Sequence, residues 1–136
     1  MKTINELQDE IVEEFSAFDD WMDKYALLID LGNSLKPLDE KYKTENNLIE
    51  GCQSRVWLQA DYKDGKVFFQ GESDAEIVKG LVSLLINVLS GHTPDEILNS
   101  QLYFCSNHSY YKPATGFHQQ MYHLPHVLIR QIPTHP

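Results

Sequence analysis

The chain is short of several things, and each shortage removes a class of function. It has two cysteines in 136 residues, Cys52 and Cys105, far apart and without CxxC spacing. That is too few for a disulfide framework or a zinc knuckle, and it suits a reducing compartment. No apolar run approaches the roughly 20 residues of a membrane span. The N-terminus, Met1-Lys2-Thr3-Ile4-Asn5-Glu6, turns acidic at once and has no apolar stretch, so no secretory signal is expected and the expected location is cytoplasmic. Basic residues are scarce, 11 against 20 acidic, for a net charge of −9. Nucleic acid and anionic membranes are therefore poor partners, since both need a basic footprint.

What is present suffices for one domain. Hydrophobic residues make up 42% of the chain, and a chain of this length buries one core of its own but not two. The charge is unevenly placed. All 20 acidic residues lie in positions 1–96, and from Ile97 to Pro136 the only charged residues are Lys112 and Arg130. Five of the six histidines and four of the six prolines fall in that same last stretch. The reading is a domain over 1–104 followed by an atypical tail over 105–136.

Local signals order the elements. Thr3 with Glu6, Ser73 with Glu76 and Thr93 with Glu96 each match the reciprocal cap of a helix start. The first helix carries Ile4, Leu7, Ile11, Val12 and Phe15 on one face. A second is expected to begin near Ser16, to carry Phe18, Trp21, Met22, Tyr25, Leu28 and Leu31, and to end at Gly32. Residues 55–62 alternate as a half-buried strand, Lys63-Asp64-Gly65-Lys66 is a hairpin turn signal, and Val67-Phe68-Phe69-Gln70 returns. The helix after Ser73 is apolar nearly all round and so belongs at the centre of the core, ending at Gly91. A short helix with Pro94 in its first turn follows. Two helices, a hairpin and further helices make an α+β domain, with a small antiparallel sheet packed against several helices.

Cys52 stands in the run Ile49-Glu50-Gly51-Cys52-Gln53-Ser54-Arg55-Val56-Trp57-Leu58. Gly51 leaves the sulfur uncrowded on one side, and the strand that follows gives a rigid support, so the thiol is expected at a reachable loop tip. The plainer reading is a buried core thiol, the usual fate of a lone cysteine beside a strand. Arg55 is the nearest fixed positive charge. No histidine is close in sequence, so nothing indicates a Cys-His hydrolytic pair. Trp57 alternates away from Val56 and Leu58 and is expected beneath another helix, the alternative being a surface that a partner covers.

This run resembles the signature of the SufE family, sulfur acceptors that work with cysteine desulfurases in iron–sulfur cluster assembly. The likeness continues through residues 71–80, Gly71-Glu72-Ser73-Asp74 onward, and through Leu89-Ser90-Gly91-His92-Thr93-Pro94. Residues 21–32 also look like the family's second helix. The resemblance implies a SufE/IscU-like fold and a persulfide formed on Cys52. It implies that Gly51, Gln53, Ser54, Arg55 and Asp74 meet the partner, Asp74 because its segment lies close to the cysteine loop in the family. The alternative for Asp74 is a helix N-terminal acid beside a Ser73 cap.

The implied partners are a cysteine desulfurase and an iron–sulfur scaffold protein, with a homodimer left open. No cofactor or metal is implied, since pyridoxal phosphate belongs to the desulfurase. Such a chain is an accessory of persulfide transfer and not a stand-alone enzyme. An acidic surface would suit a partner with a basic docking patch.

The tail departs from the family. After Leu102-Tyr103-Phe104 the family continues into His-Leu-Ser/Thr-Pro, an arginine, a Gly-Leu pair and a closing helix. Here Cys105-Ser106-Asn107-His108 runs on to Pro136 without them, which puts any role of that arginine in doubt. Three readings compete. The tail packs Phe117, Met121 and Leu124 over the core, or it binds metal through Cys105, His118, His123 and His126, or the reading frame has slipped near residue 105. The third accounts for the loss of acids and of the motif together. A chain so altered could also dock to the desulfurase without relaying sulfur.

Overall fold

The Thr3 hydroxyl accepts the Glu6 N–H and the Glu6 carboxylate accepts the Thr3 N–H, which starts α1 (Ile4–Ser16). In the computed structural model, residues 2–49 and 55–104 are described. The readings made for Gly51, Cys52, Gln53 and Ser54, and for all residues from 105 on, lie outside the described residues. The α+β architecture expected from the sequence is found: α1, α2 (Trp21–Asn33), β1 (Val56–Lys63), β2 (Lys66–Ser73), α3 (Glu76–Leu89) and α4 (Pro94–Leu98). Between α2 and β1 the chain makes two single 3-10 turns, Glu40–Tyr42 and Glu45–Asn47.

The hairpin forms as its turn signal demands. Asp64 and Gly65 both have positive φ, 53° and 79°, the pairing that a two-residue turn matching the strand twist requires. Lys63 then faces Lys66, and the register runs through Trp57↔Glu72 to Val56↔Ser73. Val56, Leu58, Val67 and Phe69 are buried on the inner face. That face packs on α3, whose Leu81, Val82, Leu85, Val88 and Leu89 are at most 1% exposed. Burying each such side chain is worth about 1.5–3 kcal/mol, so α3 is the chief support of the core. Thr93 and Glu96 form the second reciprocal cap, with Pro94 at the start of α4.

Three expectations are corrected. α2 begins at Trp21, not near Ser16, because Asp20 supplies the cap, its carboxylate accepting the Met22 N–H. The Ser16 hydroxyl instead bonds back to the Val12 carbonyl in the last turn of α1. Gly32 does not end α2; it is buried within it, where a Cβ would lie 2.9 Å from the Gly80 nitrogen. The two glycines let α2 and α3 approach backbone to backbone. Ser73 does not cap α3: it is the last residue of β2, and the capping position is Ala75, with no side-chain bond. The strand runs three residues beyond its expected end, and the helix starts only after it.

Gln8 occupies a core position of α1 and is fully buried. Its amide donates to the Gln101 carbonyl at 3.0 Å and accepts the Tyr103 and Phe104 N–H groups at 2.8 and 3.2 Å. A buried side chain thus serves as a backbone partner for residues 101–104. The buried His92 has its ring nitrogens 3.2 Å from the Leu89 carbonyl oxygen and 3.0 Å from that of Lys2, tying the end of α3 to the start of the chain. Among the described residues no helix is long and apolar enough to cross a membrane.

Candidate functional site

The segment around Cys52 joins the 3-10 turns to β1, and its described flanks are both fastened. On the incoming side, the Ile49 N–H donates to the Val56 carbonyl at 2.8 Å, and Leu48 bridges Trp57. On the outgoing side, the Asp74 carboxylate accepts the Arg55 N–H at 3.0 Å, while the Asp74 N–H donates to the Arg55 carbonyl at 3.3 Å. Both described flanks therefore lie at one end of the hairpin, beside the junction of β2 and α3. Ile49 and Val56 are buried and Arg55 is exposed.

Two residues expected at the site, Arg55 and Asp74, are thus brought together through the main chain. Asp74 precedes the capping position of α3 and turns its carboxylate to the strand stem. Asp74 also stays an acid at the N-terminus of α3, although the capping position is Ala75 and not Ser73.

Trp57 is half-buried, and the residue over its ring, Lys43, lies outside the α-helices. The Lys43 ammonium lies 5.8 Å from its ring centroid and 3.3 Å from Glu72, the residue opposite Trp57 in the ladder. Lys43 is also 3.1 Å from Glu40, and bonding first to Glu40 and then to Glu72 holds its amine above the ordinary lysine value despite partial burial. Asn47 donates to Gln59 and to the Tyr42 carbonyl, so residues 38–47 lie across the outer face of the sheet.

The sequence reading missed Glu72, Lys43 and Gln8. Gln8 carried a signal, being a polar residue on the stripe Ile4, Gln8, Ile11, Phe15. Glu72 carried none until the register set it against Trp57.

Every acidic residue of α1 and α2 is exposed. Among the described residues no group of three His, Cys, Asp or Glu side chains is arranged to hold a metal ion.

The domain is a small α+β fold with a Gly-Cys-Gln-Ser run just before its hairpin in the sequence, and comparison with known proteins gives its family. Residues 9–110 match the family described as "SufE: Fe-S metabolism associated domain". The chain belongs to the SufE family. It is 48% identical over 88 residues to an uncharacterized SufE-like protein of Synechocystis sp., covering 65% of this chain and 55% of that protein. A second uncharacterized SufE-like protein, from Rhizobium meliloti, is 40% identical over 93 residues, covering 65% of this chain and 66% of that protein. The chain thus spans less than two thirds of the length of either relative. A hypothetical protein from Thermus thermophilus, solved in solution, has a similar fold, with a TM-score of 0.70 at 20% identity over 92% of this chain and 94% of that one.

Proposed function

We propose that Cys52 accepts sulfur from a cysteine desulfurase and passes it on for iron–sulfur cluster assembly, stimulating the desulfurase by clearing its persulfide. The Cys52 thiolate attacks the outer sulfur of the desulfurase's cysteine persulfide. A new sulfur–sulfur bond forms to Cys52, the old one breaks, and the desulfurase cysteine leaves as a thiolate. The sulfane sulfur is handed over with no net oxidation or reduction. Only a thiolate attacks, and the best attacker has a pKa near ambient pH.

The observation that carries the reading is the double fastening of the stem, Ile49 to Val56 and Arg55 to Asp74, on either side of Cys52. A reacting group held between two bound ends starts closer to a productive geometry than one on a loose chain. Family membership supports the same reading, and the exposed acids of α1 and α2 suit a partner with a basic docking patch. Gly51, Gln53, Ser54, Arg55 and Asp74 form the contact around the acceptor in this proposal. The desulfurase and a scaffold protein are its partners.

The test is to incubate the protein with a desulfurase and cysteine and to look by mass spectrometry for one added sulfur on Cys52. Wild-type protein that stays unmodified, or a Cys52→Ser variant that still stimulates, rejects the proposal. The second reading, docking without relay, draws on the loss of the family's pattern after Phe104. It predicts binding to the desulfurase with neither sulfur uptake nor stimulation.

A further inference from the structure

Glu72 lies on the outer face of β2, directly opposite Trp57 and one pair from the end of the hairpin. A single carboxylate oxygen, Oε2, accepts the Leu38 N–H at 3.0 Å and lies 3.3 Å from the Lys43 ammonium. It therefore holds both ends of residues 38–43. Leu38 is buried, and the side chains of Lys43 and Glu72 are only 23% and 19% exposed. An ion pair so shielded is screened less than one on an open surface. Lys43 also covers Trp57, so it touches both members of one cross-strand pair. Past this clamp the chain is tied again, by Asn47 to Gln59, by the Leu48–Trp57 bridge and by the Ile49–Val56 hydrogen bond.

We propose that Glu72 is a positioning residue for sulfur transfer: by clamping residues 38–43 onto the hairpin it sets the path of the chain into the Cys52 segment. The proposal rests on reading Cys52 as the sulfur acceptor. Glu72 secures the approach to that segment, as Asp74 secures its exit at Arg55. Transfer between two folded proteins requires the thiolate and the persulfide to meet in a narrow range of distance and angle, and a misplacement of about 1 Å can cost orders of magnitude. A small alkylating reagent diffuses to the sulfur from any open side and makes no such demand. Loss of the clamp should therefore slow transfer far more than alkylation, a separation that a change in thiol acidity or in folding does not produce.

The experiment compares wild type, Glu72→Ala and Glu72→Gln as full chains. It measures sulfur uptake on Cys52 from a desulfurase, iodoacetamide alkylation of Cys52 without desulfurase, and hydrogen exchange at the Ile49 amide. Glu72→Ala should take up sulfur about tenfold more slowly while alkylation changes less than about twofold. Its Ile49 amide should exchange faster. Glu72→Gln keeps an acceptor for the Leu38 N–H but loses the ion pair, so it should fall between the two; it carries the same measurements if the alanine variant does not fold. Wild-type uptake in Glu72→Ala, or uptake and alkylation falling together, overturns the proposal. If wild-type protein takes up no sulfur, the reading of Cys52 as acceptor fails and this proposal falls with it. The exchange data then still show whether Glu72 holds the approach to the loop.

Discussion

Asp74 and Arg55 exchange two hydrogen bonds, the carboxylate taking the Arg55 N–H at 3.0 Å and the Asp74 N–H reaching the Arg55 carbonyl at 3.3 Å. They extend the hairpin contact one step past the Val56↔Ser73 pair, up to the segment that holds Cys52. Asp74→Ala removes one of the two bonds and should cost about 1 kcal/mol in urea unfolding. Sulfur uptake on Cys52 should fall several-fold in the same variant. Asp74→Asn keeps an oxygen acceptor and should lie close to wild type in both. Normal uptake by Asp74→Ala would detach this stem from function.

At Gly80, α3 packs directly on the backbone of α2. A Cβ there would lie 2.2 Å from the Leu28 carbonyl oxygen and 2.7 Å from its carbon. Both obstacles are backbone, so no rotamer change relieves them and the helices must separate. Gly80→Ala should destabilise by about 3 kcal/mol, lowering the melting temperature by about 10 °C. Gly32→Ala, whose added carbon would lie 2.9 Å from the nearest atom, should do less harm. Equal melting temperatures for Gly80→Ala and wild type would contradict this packing.

Gln8 supplies one donor and one acceptor to residues 101–104 from within the core. Gln8→Leu fills the same space but removes the side-chain donor and acceptor that the Gln101 carbonyl and the Tyr103 and Phe104 N–H groups use. The expected cost is about 2–4 kcal/mol. Hydrogen exchange at Tyr103 and Phe104 should rise selectively, a pattern that a general loss of packing would not give.

Tyr103 gives an alkaline signature. Burial and its hydrogen bond to Asp9 push its phenol from the ordinary 10.0 up to about 12. The folded state prefers the neutral phenol, so this contribution is complete below pH 10 and is lost as pH rises through about 12. Tyr103→Phe should be less stable at neutral pH yet lose less between pH 10 and 12. Spectrophotometric titration should show one tyrosine ionising late.

The acid side runs in the opposite sense. Bonds to the Thr3 and Thr93 backbones and hydroxyls hold the Glu6 and Glu96 carboxyls below their ordinary range. Their contribution is present above about pH 4.5 and is lost as pH falls below it. Replacing both carboxyls with Glu6→Gln and Glu96→Gln should flatten the acid limb of stability against pH, measured by urea unfolding between pH 3 and 6.

Much of the fold was legible because its signals are local. Asp64-Gly65 defines a two-residue turn, and that turn sets every pair of the ladder. Thr3 and Thr93 start their helices three residues before a glutamate. Errors arose where one residue type serves two ends. Ser16 and Asp20 are both capping residues, and the choice of Asp20 left Ser16 to finish α1. Gly32 looked like a terminator because the residue that needs it small, Gly80, is 48 positions away.

The amino-acid sequence alone determined the order of helices and strands, the hairpin turn, the central helix and the Cys52 thiol set in a family-specific run. Each depends on residues within about a dozen positions of one another. Tertiary structure decided which distant groups meet: Glu72 with Leu38 and Lys43, Asp74 with Arg55, and Gln8 with residues 101–104. A carboxylate or amide takes whichever partner the packing brings within about 3 Å, and that depends on how helices and hairpin close on the core.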